Sequence, residues 1–131
     1  MTQIPADDPN TRLWLRHALA TLAYRAGKTV RGTPAAFGEY RADEKSPKVN
    51  EILAHMGDLM DWILTMMRGV PKWRNSTPLA WDAEIARFFG AIGAADAYLA
   101  SGQPRCRPSS SSRPSSCSPR AGAASPAGRC A

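Results

Sequence analysis

Residues 81–99 read WDAEIARFFGAIGAADAYL, and this stretch decides the fold. Apolar residues recur along it at the i, i+4, i+7, i+11, i+14, i+18 spacing that places side chains on one face of a helix. A strand would instead alternate apolar and polar residues, and no segment of the chain follows that pattern. The stretch predicts a long amphipathic helix whose buried row is Trp81, Ile85, Phe88, Ile92, Ala95 and Leu99.

Residues typical of helix ends bound this stretch on both sides. Thr77-Pro78 offers a capping hydroxyl followed by proline at the first helical position. Gly102 and Pro104 stop the apolar pattern at the other end. We therefore expect the helix to open at Thr77-Pro78 and to end before Gly102.

A second helix is predicted from Ser46-Pro47, which repeats this opening, to about Arg68, just before Gly69. Its apolar residues form two adjacent rows, and His55 interrupts the second row. Two neighbouring rows give a wide apolar face, so we expect this helix to be the most buried element. The rows are Val49, Leu53, Met56, Met60, Ile63 and Met67, and Ile52, His55, Leu59, Trp62 and Met66.

The first helix is predicted over residues 10–30, with Asn10 or Thr11 as its cap. The acidic side chains of Asp7 and Asp8 suit the positive end of the helix dipole. Two adjacent apolar rows again predict a broad buried face. These rows are Leu15, Leu19, Leu22 and Ala26, and Leu13, His17, Ala20 and Tyr24.

The three helices, with a long loop at residues 34–47, predict an all-α fold. We expect residues 1–104 to form an up-and-down helical bundle. An even number of antiparallel helices around one core is the commoner arrangement, and no fourth amphipathic pattern follows residue 104. The bundle is therefore expected to be open on one side.

The composition changes abruptly after Pro104. Residues 105–131 read RCRPSSSSRPSSCSPRAGAASPAGRCA, with five arginines, no acidic or aromatic residue and no aliphatic side chain larger than alanine. Such a segment cannot offset the entropy of ordering its backbone, so we predict a disordered tail. GC-rich codons supply all six of its residue types, and we interpret the tail as the product of a frameshift.

Charge and cysteine content limit the partners and the compartment. Residues 1–104 hold 12 basic and 11 acidic residues, for a net +1, and the tail raises the chain to +6. The tail has a low charge density and nothing to stack on a base, so no specific nucleic acid is expected. The chain has neither an apolar run of about 20 residues nor a signal peptide. All three cysteines lie in the tail, so we expect a cytoplasmic protein that does not bind membranes.

Only His17 and His55 could serve as imidazole ligands or bases. The ordinary explanation for either is a histidine satisfied by one hydrogen bond. His55 is the sharper candidate, because it interrupts an apolar row where a neutral imidazole could face a metal ion. Asp58 is either an acceptor that orients this imidazole or a solvated edge residue, and Asp61 is expected on the rim of the helix.

The segment around His55 carries a family resemblance. Residues 47–62 read PKVNEILAHMGDLMDW, in which an Ile-Leu-x-His motif ends at His55. This segment resembles the second helix of the DinB/YfiT-like superfamily, which enters on Ser/Thr-Pro. The first helix, the region of Trp73 and the helix from Trp81 agree with that family in order and length over residues 11–103.

The resemblance implies a four-helix bundle that binds a divalent metal ion (zinc, nickel or manganese) through three histidines. One histidine lies on the second helix and matches His55, and a His-x-x-x-His pair lies on the fourth. No histidine follows His55 here, and His17 lies where the family places no ligand. One imidazole and one nearby carboxylate cannot supply the three protein ligands of such a site. His55 is therefore predicted to be a remnant metal ligand, and no cofactor is expected.

Two classes of function follow. The resemblance implies descent from metal-dependent hydrolases or thiol-dependent transferases, and the incomplete ligand set predicts a catalytically inactive chain. No nucleophile–base pair, Gly-rich phosphate loop or pair of carboxylates in an apolar context is visible in the sequence. The alternative is a non-catalytic helical module whose apolar groove binds a partner helix or a second copy of the chain, as a homodimer.

Overall fold

The computed structural model describes residues 8–104. This range contains helices and no strand, which confirms the predicted all-α fold with three long helices. The predicted tail at residues 105–131 lies outside the described residues. The elements are α1 (Pro9–Val30), a short 3-10 helix (Ala35–Glu39), α2 (Val49–Met67) and α3 (Trp81–Ala100).

Helix α3 is the centre of the fold. Helices α1 and α2 both pack on α3, and no Cα atom of α1 lies within 8 Å of one of α2. The predicted row of α3 is confirmed, since only Ile85 of its six residues is not fully buried. The expectation that α2 is the most buried helix is wrong: α3 buries seven residues and α2 five. The reason is that α3 has a neighbouring helix on each side.

The contacts at the helix ends show the directions of the chain. Near the start of α1, Arg12 donates a hydrogen bond to the Leu99 carbonyl near the end of α3, so these helices are antiparallel. Asn50 contacts the Leu79 carbonyl just before α3, and the Tyr98 hydroxyl donates to the Met67 carbonyl at the other end. Helices α2 and α3 are therefore parallel. This differs from the predicted up-and-down order, because residues 68–80 run back along α2.

The start and the outer face of α1 both differ from prediction. Asp8, rather than Asn10 or Thr11, caps the helix, and its carboxylate accepts the Thr11 amide at 2.9 Å. Because the helix packs on α3 alone, it does not bury the broad face expected. The row that stays exposed is Leu13, His17, Ala20 and Tyr24.

Glutamates replace the predicted hydroxyl caps of α2 and α3. The Glu51 carboxylate accepts the backbone N–H of Lys48 at 2.7 Å, and α2 begins at Val49 instead of Pro47. The Glu84 carboxylate likewise accepts the backbone N–H of Leu79 at 2.8 Å, and α3 begins at Trp81. A carboxylate one turn inside the helix satisfies an amide that would otherwise lack a partner.

The predicted ends of α2 and α3 are confirmed. Gly69 and Gly102 follow these helices with φ of 80° and 70°, in the left-handed region that glycine adopts without strain. The loop predicted at residues 34–47 contains the short 3-10 helix, whose Phe37 ring packs against Trp81 with centroids 5.6 Å apart. Among the described residues, none of the helices has the length and apolar character needed to cross a bilayer.

Candidate functional site

The connection from α2 to α3 lies along α2 and is fixed there by polar contacts. Its residues 68–80 run back from the end of α2 to the start of α3. Side chains of α2 contact this connection at three successive positions along the helix, so the connection covers the surface of α2 beneath it. The contacts join Thr65 to Lys72, Asp58 to Ser76 and Asn50 to Leu79.

Arg87 of α3 is the centre of a buried charge network between α3 and α2. Its Nη1 donates to Glu84 at 2.9 Å and to the Ala54 carbonyl at 3.3 Å. Its Nη2 donates to Asp58 and, at 3.1 Å, to Asp61. The side chains of Arg87, Asp58 and Glu84 are 16%, 4% and 0% exposed. The network therefore joins the two helices where water hardly reaches it.

Hydrogen bonds keep this network charged. Burial alone would raise the pKa of Asp58, but the hydrogen bonds from Ser76 and Arg87 outweigh it and hold that pKa below its ordinary value. For Arg87, burial lowers the pKa, and the bonds to Asp58 and Glu84 outweigh it and raise the pKa instead. Each carboxylate already accepts a hydrogen bond, so the network locks the helices together and offers no free base.

The network shows where sequence reasoning succeeded and where it failed. Asp61 lies half-exposed on the rim of α2, as predicted. Asp58 fits neither interpretation made from sequence, because it is buried and bound to Ser76 and Arg87. Glu84 and Arg87 were missed. A usable signal existed: Glu84 lies in register with the apolar residues of α3, four residues before Phe88.

The lowered pKa of Asp58 predicts a specific loss of stability in acid. A carboxylate whose pKa falls on folding stabilises the fold above its unfolded pKa of about 3.9, and that contribution disappears as the pH falls through the folded pKa. The difference in unfolding free energy between wild type and Asp58→Asn should therefore shrink below about pH 4. Urea titrations from pH 7 to pH 3 measure it, and a difference that stays constant would contradict the role of Asp58.

The two histidines lie at the surface. The exposed His55 ring meets the Trp73 ring edge to face with centroids 5.7 Å apart, and Trp73 contacts Trp62 in the same way at 5.8 Å. His17 lies exposed on α1, with its ring 6.4 Å from that of Trp14. Within residues 8–104, no group of three or more His, Cys, Asp or Glu is arranged to hold a metal ion. The role of His55 as a remnant ligand stays a prediction.

Calorimetric titration of Zn²⁺, Ni²⁺ and Mn²⁺ tests that prediction. We expect weak or absent binding by both wild type and His55→Ala, because a tight site needs about three protein ligands and no such group is arranged within residues 8–104. His17→Ala serves as the control for binding by the other imidazole. Micromolar or tighter binding that His55→Ala abolishes would contradict the prediction.

The apolar rows of α2 are only partly buried. Leu53 belongs to the core with three residues of α3, and Val49, Met56 and Met60 pack against that core. Small and polar residues of α2 also face α3. There Gly57 permits the approach of Arg87, whose Nη1 would lie 3.1 Å from a Cβ atom at that position. Among the ten apolar residues in the two rows of α2, only Leu53 is fully buried, and Ile52 is 46% exposed. The buried residues of α2 are Asn50, Leu53, Ala54, Gly57 and Asp58.

These observations define an all-α protein whose candidate site is a partly covered apolar face of α2 beside the buried charge network. Comparison with protein-family models, curated proteins and solved structures found no match. The function must therefore be argued from the contacts and exposure of the residues themselves.

Proposed function

We propose that this chain is a non-catalytic helical module that binds an apolar helix along the partly covered apolar rows of α2. One observation carries the proposal: α2 holds ten apolar residues in two rows and fully buries only Leu53. Partly covered apolar rows of this length are characteristic of interaction surfaces, since water contact with them is unfavourable.

The spacing on α2 favours a helix as the occupant. Five of its partly covered apolar residues follow the i, i+4, i+7, i+11, i+14 pattern of a coiled-coil seam, whose side chains fit between those of a facing helix. Methionine side chains are flexible and adapt to different partners. The seam, called the α2 seam below, is Ile52, Met56, Leu59, Ile63 and Met66.

We further propose that the module descends from DinB-like metal-dependent hydrolases or thiol-dependent transferases without their activity. The Ile-Leu-x-His motif at His55 supports the ancestry, and the absence of any later histidine supports the loss of catalysis. The separation of α1 and α2 supports the same proposal. In a bundle that lacks its fourth helix, these two helices would each pack on α3 without contacting each other.

A peptide-binding measurement tests the helix-binding function. The probe is a labelled, net-neutral, leucine-rich amphipathic peptide of about 20 residues, long enough to span α2. Fluorescence anisotropy at low protein concentration should show saturable binding. Ile52→Glu should weaken it at least about tenfold, because the peptide would then cover a charge. Ile52 is already 46% exposed, so the variant should keep its helices.

The matched control is Ala86→Glu, which adds the same charge on the exposed face of α3. It should bind the peptide as wild type does. Absence of binding by wild type, or equal binding by wild type and Ile52→Glu, would overturn the proposal. Circular dichroism of each variant establishes that the helices are retained.

A further inference from the structure

Helices α1 and α2 carry opposite charges, and both leave apolar side chains partly exposed to water. Helix α1 contains four basic residues and no acidic one, and α2 contains three acidic residues and no basic one. Within the chain the two helices do not approach each other. On α1, Arg25 and Lys28 are exposed, and Glu51 is exposed on α2. Arg12 and Arg16 are already bonded to α3, and Asp58 and Asp61 are bonded to Arg87, so the charges available for a contact are those of Arg25, Lys28 and Glu51.

Helix α1 also presents large apolar side chains to solvent. Trp14 is 73% exposed and Leu13 66%, and Leu15 and Tyr24 are exposed as well. Leu13, Trp14 and His17 line a shallow depression that is open to solvent. An exposed group of this size on a helix is typical of a contact surface. Helix α1 thus has apolar side chains that could pack on the α2 seam, and it has the positive charge that α2 lacks.

We propose that the helix bound along the α2 seam is α1 of a second copy of this chain. A two-fold axis makes the arrangement reciprocal: α1 of each protomer lies on α2 of the other, and one interface contains two identical contacts. Residues 105–131 are a poor occupant, because they contain no Val, Leu, Ile, Met or aromatic side chain to place on the seam. The inference rests on the proposed function, since it names the helix that the seam binds.

Two variants with opposite charges test the reciprocal pairing. Trp14→Lys alters the α1 surface and Ile52→Glu alters the α2 seam, both at exposed positions. In sedimentation velocity at tens of micromolar, wild type should be dimeric and each variant alone monomeric, because both contacts of its homodimer are impaired. An equal mixture should recover dimers. One contact in the mixed dimer is then native, and the other contact carries both substitutions, whose charges are opposite.

Any other combination of oligomeric states for wild type, the two variants and their mixture would overturn the pairing. Dimers of Trp14→Lys alone would indicate α2 against α2, and dimers of Ile52→Glu alone would indicate α1 against α1. A mixture that stays monomeric would also contradict it, as would a monomeric wild type. Ala86→Glu should dimerise as wild type does. A monomeric variant that retains its helicity has lost the pairing without unfolding. A monomeric wild type that still binds the amphipathic peptide would remove this inference and leave the proposed function standing.

Discussion

Replacing Arg87 by methionine should lower the free energy of unfolding by about 3–5 kcal/mol, the usual effect of removing one partner from a buried ion pair. Asp58 and Glu84 would remain in a site where they are 4% and 0% exposed, without the guanidinium that both now bind. Domains of this size have about 5–15 kcal/mol in total, so this substitution should remove a large share of the stability. Urea titration at pH 7 measures the loss.

The matched control for Arg87→Met is Arg16→Met. Arg16 forms an ion pair with Asp96 at 2.7 Å, but the two side chains are 44% and 37% exposed. Water and salt screen such a pair, so its removal should leave the unfolding midpoint almost unchanged. Equal losses for the two variants would contradict a structural role for the buried network.

Phe88→Ala should be the most damaging change in the apolar core, with a loss of about 3–5 kcal/mol. Phe88 is 1% exposed and belongs to the small group of large apolar side chains that are fully buried in residues 8–104, with Leu53, Trp81, Ile92 and Leu99. In a core this small, few neighbouring side chains can move to fill the cavity that the substitution leaves. Thermal unfolding followed by circular dichroism should show a much lower and broader transition.

Phe89 provides the comparison for Phe88, since it is the next residue of α3, has the same side chain and is only half-buried. Phe89→Ala should have a clearly smaller effect, because less apolar surface returns to water. Similar losses at both positions would mean that α1 covers Phe89 more tightly than the structure shows.

Periodicity in the sequence was enough to find the helices but not to decide which faces they bury. The apolar row of α3 is long and unbroken, and it is the row that both neighbours cover. On α2 and α1 the same reasoning failed, because burial there depends on which helix lies opposite. Tyr24 and Ile52 are apolar by sequence and exposed in the fold, and nothing in their own helices indicates that α1 and α2 stay apart.

The charge network was beyond sequence reasoning for a different reason. Asp58 and Arg87 are 29 residues apart, and they meet only because α2 and α3 run parallel. That direction depends on residues 68–80 returning along α2, which Ser76 helps to fix through Asp58. Polar contacts between distant residues leave no periodic trace. Glu84 was the one indication within a single helix, because it is a charged residue in register with the apolar row of α3.

Methionine methyl resonances test the binding role of α2 most directly. The chain has five methionines, four of them on α2 (Met56, Met60, Met66 and Met67) and the fifth at Met1. In a ¹³C-methyl-methionine sample titrated with the net-neutral amphipathic peptide, the resonances of Met56 and Met66 on the α2 seam should shift saturably. If all five resonances stay unchanged through the titration, α2 does not bind a helix and the account is wrong.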